Sequence, residues 1–214
     1  FVRFEGCVSQ DPKAFKKDAS IFEAELRQNP EDTRSMFYLA QSYKDNKEFD
    51  KSILYYERRA IMGGWQEEVF WSLYQIAKLQ QALNYNPNVF LKSFYKAHTH
   101  RPNRIEPLYY IAKYYRENSM WEEGYSIAKL ALASLDGQQI ENELLFVEKW
   151  IYEYGMLLEL SICAYRLKKY DEAKSISEQI LQIKNLPINY INCVKTNLKW
   201  IDLSIDPKKV IEKM

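Results

Sequence analysis

The residue types that most often carry catalysis or bind metals are few in this sequence of 214 residues. His98 and His100 are its two histidines, and residues two apart on a helix do not share a face. A zinc site needs at least three convergent protein ligands, and the sequence places no third ligand nearby. We therefore interpret both histidines as part of a solvated helix end. The sequence predicts no metal ion and no cofactor.

The cysteines do not indicate a reactive site either. Cys7, Cys163 and Cys193 are odd in number and widely spaced, which is typical of neither a disulfide framework nor a zinc site. A nucleophilic cysteine needs a nearby base, and the sequence offers Cys163 none. Free thiols are typical of a reducing compartment. No apolar run approaches the roughly 20 residues that cross a bilayer. We therefore expect a cytoplasmic protein with no membrane span and no catalytic residues.

The charges are nearly balanced, with 30 Lys and Arg against 29 Asp and Glu, so no overall field attracts nucleic acid. Gly63 and Gly64 read as a helix stop and not as a phosphate-binding loop. A group of charged residues gathers where successive repeats of the chain meet: Arg34, Arg58, Arg59, Glu67, Glu68, Arg104 and Glu106. These residues either bind an anion such as a sugar phosphate or form ion pairs between repeats. The second interpretation is favoured because the arginine fork matches a carboxylate.

The elements that carry these residues follow a repeat. Leu39, Gln41 and Lys44 recur 34 positions later as Leu73, Gln75 and Lys78, and aromatic Phe37 recurs as Trp71. Further copies begin at larger offsets and contain the triplets Tyr109, Ile111, Ala112 and Leu160, Ser161, Ala164. With only 6 Gly and 7 Pro, the chain has few tight turns, which favours long helices over a sheet.

Each repeat predicts a pair of helices. The inward positions of the second helices are Ser52, Tyr56, Arg59; Phe90, Phe94, Ala97; Gly124, Ala128, Ala131; and Ala173, Ser177, Ile180. The predicted helices span 11–28, 33–45, 48–62, 66–82, 87–99, 105–117, 120–133, 143–167, 169–183 and 187–203, with a tail helix at 207–213. Ser119 and Glu122 read as a capping box that opens one of them.

This pattern resembles the tetratricopeptide repeat (TPR) family. The resemblance implies an all-α, right-handed α-solenoid of about four TPR-like helix pairs plus a capping helix. We divide the chain into residues 1–10, the end of a preceding domain or a linker; residues 11–206, the TPR-like helical repeat domain; and residues 207–214, a C-terminal tail helix.

Some strings are more specific. Residues 34–43 (RSMFYLAQSY), 59–70 (RAIMGGWQEEVF), 101–109 (RPNRIEPLY), 144–147 (LLFV) and 159–162 (ELSI) resemble the helical region that follows a family-two, GT-A type glycosyltransferase domain in bacterial and giant-virus proteins. The opening FEGCVS at 4–9 is similar to the seam between the two parts. A GT-A enzyme holds its metal with an Asp-x-Asp motif, which this sequence lacks. The resemblance therefore implies that catalysis lies in a domain upstream of Phe1.

In TPR arrays the first helices line a concave groove, and repeat positions 2, 5, 9 and 12 face it. Here these are Arg34, Phe37, Gln41, Lys44, Glu68, Trp71, Gln75, Lys78, Glu106, Tyr109, Lys113 and Arg116. The aromatic residues either line the groove or pack between helices. We expect a non-catalytic scaffold that binds a protein or peptide, with a glycan acceptor or a second copy of the chain as further candidate partners. A free-standing peptide-binding TPR adaptor is the alternative.

Overall fold

The computed structural model describes residues 12–135 and 145–206, and these residues form ten α-helices and one π-helical turn, with no strand among them. The helices are α1 Pro12–Gln28, α2 Thr33–Asp45, α3 Phe49–Met62, α4 Gln66–Ala82, α5 Pro87–His100, α6 Glu106–Glu117, α7 Trp121–Ala133, α8 Met156–Arg166, α9 Tyr170–Leu181 and α10 Ile188–Ile205. The all-α fold class is confirmed. The predicted tail helix, the seam residues and Cys7 lie outside the described residues.

Contacts divide the chain into two compact units that meet at Ala97 and His98. In the first unit, α1 packs on α2, α2 on α3 and α3 on α4. In the second unit, α6 packs on α7, α7 on α8, α8 on α9 and α9 on α10. Within each unit these helices thus contact their neighbours in the chain, as the predicted series of helix pairs requires.

The inward positions of the second helices are the strongest confirmation of the predicted register. All twelve of them are buried, from Ser52, Tyr56 and Arg59 in α3 to Ala173, Ser177 and Ile180 in α9. Small residues let the paired helices approach closely: a Cβ atom on Gly124 of α7 would lie 3.4 Å from the carbonyl oxygen of Ala112 on α6. Because these positions are spaced at one helical turn, a shift of one residue would have exposed most of them.

The turn inside each helix pair follows one design that sequence reading missed. A residue other than glycine adopts a positive φ after the first helix: Lys47, Asn84, Ser119 and Lys168. The next backbone N–H then donates to a carbonyl five residues earlier, at 2.8 to 2.9 Å in all four turns. This is the Schellman motif, which satisfies carbonyls left over at a helix end. It usually contains glycine, and these turns contain none.

Two local predictions were wrong. Ser119 does not cap α7, because it is the left-handed residue that ends α6; the cap position belongs to Met120 and has no side-chain hydrogen bond. The helix predicted over 143–167 does not include residues 145–148, where Phe146 has a φ of 50°. A π-helical turn, Ile151–Gly155, then leads into α8. The Trp150 ring lies against Gly155, where a Cβ atom would come within 2.7 Å of it.

Buried tyrosines make the fold sensitive to alkaline pH. Burial raises the pKa of Tyr43, Tyr56, Tyr109 and Tyr152 above the ordinary value of 10.0. Above that value the unfolded chain loses protons that the folded chain keeps, so the free energy of unfolding must fall as pH rises. Lys44 acts in the opposite direction, because burial lowers its pKa, but it is a single group.

We therefore expect the urea midpoint to fall steadily between about pH 9 and about pH 11, where free tyrosine ionises. Tyrosinate absorbance recorded in the same titration should show two phases: exposed tyrosines such as Tyr85 and Tyr95 ionise in the folded chain, and a second rise coincides with unfolding. A midpoint that is constant across this range would contradict the burial of these hydroxyl groups.

Candidate functional site

Four of the seven charged residues predicted at the repeat junctions form internal ion pairs, namely Arg59 with Glu68 and Arg104 with Glu106. In the first unit, Arg59 donates through Nε and Nη2 to the Glu68 carboxylate, at 3.1 and 2.9 Å. Its Nη1 donates to the carbonyl oxygen of Gly63 at 2.6 Å. Arg59 thus joins the end of α3 to the start of α4, and both partners are buried. For Arg59 and Glu68, this pair confirms the interpretation of inter-repeat ion pairing.

The second unit has an ion pair that is buried completely. The Arg104 guanidinium donates to the Glu106 carboxylate at distances of 2.8 to 3.1 Å, and both side chains have zero exposure. Arg104 Nη2 also donates to the carbonyl oxygen of Leu145 at 3.2 Å. The Tyr152 hydroxyl donates to Glu106 Oε2 at 2.6 Å and accepts from the N–H of Ile105 at 3.3 Å. These bonds fasten the segment after residue 145 to the start of α6.

The aromatic residues of the predicted groove are buried. Phe37, Trp71 and Tyr109 are exposed by 1%, 9% and 7%. Phe37 has the Tyr56 ring 6.3 Å away and Trp71 has the Tyr74 ring 5.6 Å away. In the second unit the Tyr109 ring lies edge-on to Trp150, which extends to Tyr154 and Tyr190. Of the two interpretations left open, this burial favours packing between helices.

Other residues of the predicted groove are also buried or form ion pairs within the fold. Glu68 and Glu106 belong to the junction ion pairs, and Gln75 is 5% exposed. Arg116 Nε lies 2.5 Å from Glu159 Oε2 of α8, and its Nη2 lies 3.3 Å from Oε1. Burial raises the pKa of Glu159, although the Arg116 cation opposes the shift. Within the second unit, the predicted binding residue Arg116 is therefore held by an internal carboxylate.

The remaining members are accessible. Arg34 is exposed and its guanidinium lies 5.4 Å from the centre of the Tyr38 ring. Lys113 Nζ lies 3.9 Å from Glu117 Oε1 one turn along α6. Three residues of the first unit are half-buried on neighbouring first helices, namely Gln41 and Lys44 of α2 and Lys78 of α4. We call these three the polar face.

The polar face contains groups whose bonding the fold leaves incomplete. Gln41 Nε2 is inaccessible to solvent and has no hydrogen-bond partner among the described residues. Lys44 Nζ lies 3.9 Å from Asp45 Oδ1, which is too long for a hydrogen bond. Burial lowers the pKa of Lys44, while the Asp45 carboxylate opposes this shift and the charge of Lys78 adds to it. The Lys78 ammonium lies 5.1 Å from the centre of the Tyr74 ring.

The other residues considered from the sequence have structural surroundings. His98 Nδ1 lies 3.2 Å from the carbonyl oxygen of Arg104, and no group of three metal-binding side chains occurs among the described residues. Cys163 is buried, and burial raises the pKa of its thiol to about 12, whereas Cys193 is exposed. No helix in the described part of the chain combines the length and apolar character that crossing a membrane requires.

Sequence reasoning missed two members of these networks. Glu159 lies 43 residues from Arg116, and Tyr152 lies 46 residues from Glu106. Tyr152 precedes the repeat, and the position of Glu159 carries no carboxylate in the other repeats, so the periodicity carried no sign of either residue. A charged residue among the inward positions of α8 was the one available hint, because a buried carboxylate needs a cation.

Several solved structures have a similar fold, although no family model and no curated protein matches the chain. A structure titled MamA RS-1 ArsTM double mutant has a TM-score of 0.58 and 11% identity, covering 92% of this chain and 89% of that one. YrrB, described as a TPR protein with an unusual peptide-binding site, has a TM-score of 0.57 and 10% identity, covering 86% of this chain and 84% of that one.

A third similar structure contains nearly identical TPR-like repeats from a kinesin light chain protein of Podosopora anserina. It has a TM-score of 0.54 and 15% identity, and the match covers 86% of this chain and 91% of that one. At such identities the likeness concerns the arrangement of helices and not the ligands. Together with the buried inward positions, it shows that this chain has the TPR-like fold of stacked helix pairs.

Proposed function

We propose that the chain is a non-catalytic interaction scaffold that binds an extended segment of a partner protein on the polar face of its first unit. The observation that carries this proposal is the Gln41 amide, a donor hidden from solvent with no hydrogen-bond partner among the described residues. Leaving such a donor unsatisfied costs roughly 1–3 kcal/mol. Once the half-buried Gln41 side chain turns outward, a backbone carbonyl of a bound peptide supplies the missing acceptor. The peptide-binding site named for YrrB is consistent with this role.

We further propose that this scaffold is the accessory region of a glycosyltransferase and presents a protein partner or glycan acceptor to it in the cytoplasm. The support is the sequence resemblance of residues 34–43, 59–70 and 101–109. A free-standing peptide-binding adaptor uses the same face, so the genomic context distinguishes the two roles. A reading frame upstream of Phe1 that encodes a GT-A domain with an Asp-x-Asp motif supports the accessory role. A frame without one supports the adaptor.

The role of Gln41 has a direct test. Replacing Gln41 with leucine removes the unsatisfied amide and keeps a similar volume, so we expect the free energy of unfolding to rise by roughly 1 kcal/mol. The same change should abolish binding of peptides selected from a random library against the intact chain. Binding is measured by calorimetry and stability by urea unfolding.

The matched control is Gln179→Leu, on an exposed position of α9. This control should keep peptide binding and change stability by less than about 0.5 kcal/mol. If Gln41→Leu destabilises the chain, the amide has a structural partner. If it leaves the binding of every selected peptide intact, the polar face is not the binding site.

A further inference from the structure

A cleft of about 610 Å³ opens on the first unit between α1 and α3. Because α2 packs on both of these helices, it forms the floor of the cleft, with Met36 and Leu39. The walls are largely apolar as well, with Leu26 and Pro30 on the α1 side and Tyr55 on the α3 side. We call this feature the α1–α3 cleft. Its volume and lining are suited to apolar side chains of a partner.

The rim on the α3 side carries an exposed apolar stripe. Leu54, Arg58 and Ile61 are spaced by four and three residues, so they lie on one face of α3. Ile61 is 85% exposed and Leu54 is 44% exposed. Since Ile61 also borders the cleft, stripe and cleft form one continuous apolar patch and not a scattered exposed residue. Continuous patches of this kind mark interaction surfaces.

Four charged side chains border the cleft, and two of them pair with each other. Arg27 Nη2 lies 3.6 Å from Glu23 Oε2, one turn away on α1. Glu31, in the connection after α1, has no cation within ion-pair distance among the described residues. Arg58 has no described carboxylate within that distance either, and its guanidinium lies 5.2 Å from the centre of the Tyr55 ring. Within the described chain, the cleft thus has an unpaired negative charge on its α1 side and an unpaired positive charge on its α3 side.

We propose that a second copy of this chain docks on the α1–α3 cleft, in a symmetric dimer whose two-fold axis runs along the cleft. A two-fold contact uses the same patch on both copies, and this axis places the α1 side of each copy against the α3 side of the other. Glu31 of one copy therefore faces the partner's Arg58, and this contact occurs twice. Ile61 of each copy packs over Leu26 and Pro30 of the other and fills the cleft.

The charges select this orientation over the alternative one. An axis across the cleft would bring the two α3 sides together, and with them the two Arg58 cations. Like charges placed against each other oppose association, whereas complementary charges fix the register of an interface. The patch is thus complementary to itself in one orientation, which is the reason for choosing a second copy as the occupant.

The dimer contact leaves the polar face accessible. Successive residues of a helix differ by about 100° in direction, so Met36 and Leu39 lie on a different side of α2 from Gln41 and Lys44. The inference therefore goes beyond the proposed function and does not depend on it. A dimer presents two polar faces, so a partner protein with two binding segments binds it more tightly than it binds a monomer.

The test is sedimentation of the intact chain over a range of concentrations up to about 1 mM, where we expect a dimer. Glu31→Arg and Arg58→Glu each place like charges at both contacts, so each change should weaken self-association at least about tenfold. An equimolar mixture of the two variants re-forms both opposite-charge contacts. We therefore expect the mixture to dimerise as the unchanged chain does, although neither variant does so alone.

The apolar part of the contact has its own variant. Ile61→Ser should weaken self-association at least about tenfold and leave the urea midpoint of the monomer unchanged, because the side chain is exposed. The matched control is Leu130→Ser on α7, where the leucine is 52% exposed and distant in sequence from the cleft. This control should dimerise as the unchanged chain does. All of these variants should still bind the peptides selected for the polar face.

Three results would overturn the inference. A chain that stays monomeric at about 1 mM leaves the cleft to a different protein. A mixture that associates no better than either charge variant alone shows that Glu31 and Arg58 do not meet across a two-fold axis. Equal self-association of Ile61→Ser and Leu130→Ser places the dimer contact elsewhere. Loss of peptide binding in a chain that still dimerises contradicts the proposed function alone.

Discussion

Replacing Arg104 with methionine should lower the free energy of unfolding by about 3–5 kcal/mol, because it leaves the Glu106 carboxylate buried without its cation. Both side chains have zero exposure, and the guanidinium also holds the carbonyl oxygen of Leu145. Loss of the cation therefore removes bonds to two separate parts of the second unit. The measurement is urea unfolding at neutral pH followed by circular dichroism.

Two comparisons show whether charge burial is the cause. Arg58→Met removes an exposed guanidinium and should change stability by less than about 1 kcal/mol. The double variant Arg104→Met with Glu106→Leu should recover much of the loss, because two apolar side chains need no ionic partner. If the double variant is less stable than the single one, the bonds to Leu145 and Tyr152, and not the ion pair, dominate.

Replacing Trp71 with alanine should cost about 3–5 kcal/mol of stability, the range expected when a buried aromatic ring is truncated. Trp71 is 9% exposed, and its ring lies 5.6 Å from that of Tyr74, another buried residue of α4. A ring that faced an open groove would give up little packing on truncation, and the unfolding midpoint would hardly move. The urea midpoint of this variant therefore separates the two interpretations.

The chain offers a matched control for this experiment in Trp65, six residues earlier and 50% exposed. Trp65→Ala should change the free energy of unfolding by less than about 1 kcal/mol. If the two tryptophan variants unfold at the same midpoint, Trp71 is a surface residue and the packing interpretation fails.

Helix positions were predictable because they depend on periodicity within one or two turns. The predicted bounds of α2 and α4 agree with the structure, and the inward positions of the second helices are all buried. The Schellman turns were not predictable from composition, since lysine, asparagine and serine take the place of glycine in them. In these turns the bonds from the following N–H groups and the packing of the pair compensate for the cost of a positive φ.

The candidate site was predictable only in part. Repeat positions identified Gln41, Lys44 and Lys78 because they recur on the same face of successive first helices. They did not distinguish a ring that lines a groove from one that packs between helices, because both lie on that face. The pairing of Glu159 with Arg116 could not be predicted either, since the two residues are 43 positions apart and only the folded chain brings them together.

The π-helical turn at Ile151–Gly155 changes the rotational register of one continuous helix. A turn of this kind contains one residue more than an α-helical turn. Side chains of the helix before the turn are therefore rotated by about 100° from the positions that an uninterrupted α-helix would give them. Trp150 precedes the turn and contacts the rings of Tyr109 and Tyr154, whereas Leu160 and Ala164 follow the turn and occupy buried repeat positions. Comparing this chain with a relative that lacks the turn therefore requires a one-residue gap inside a helix. Without that gap, Trp150 is assigned to a helix face about 100° away from its own.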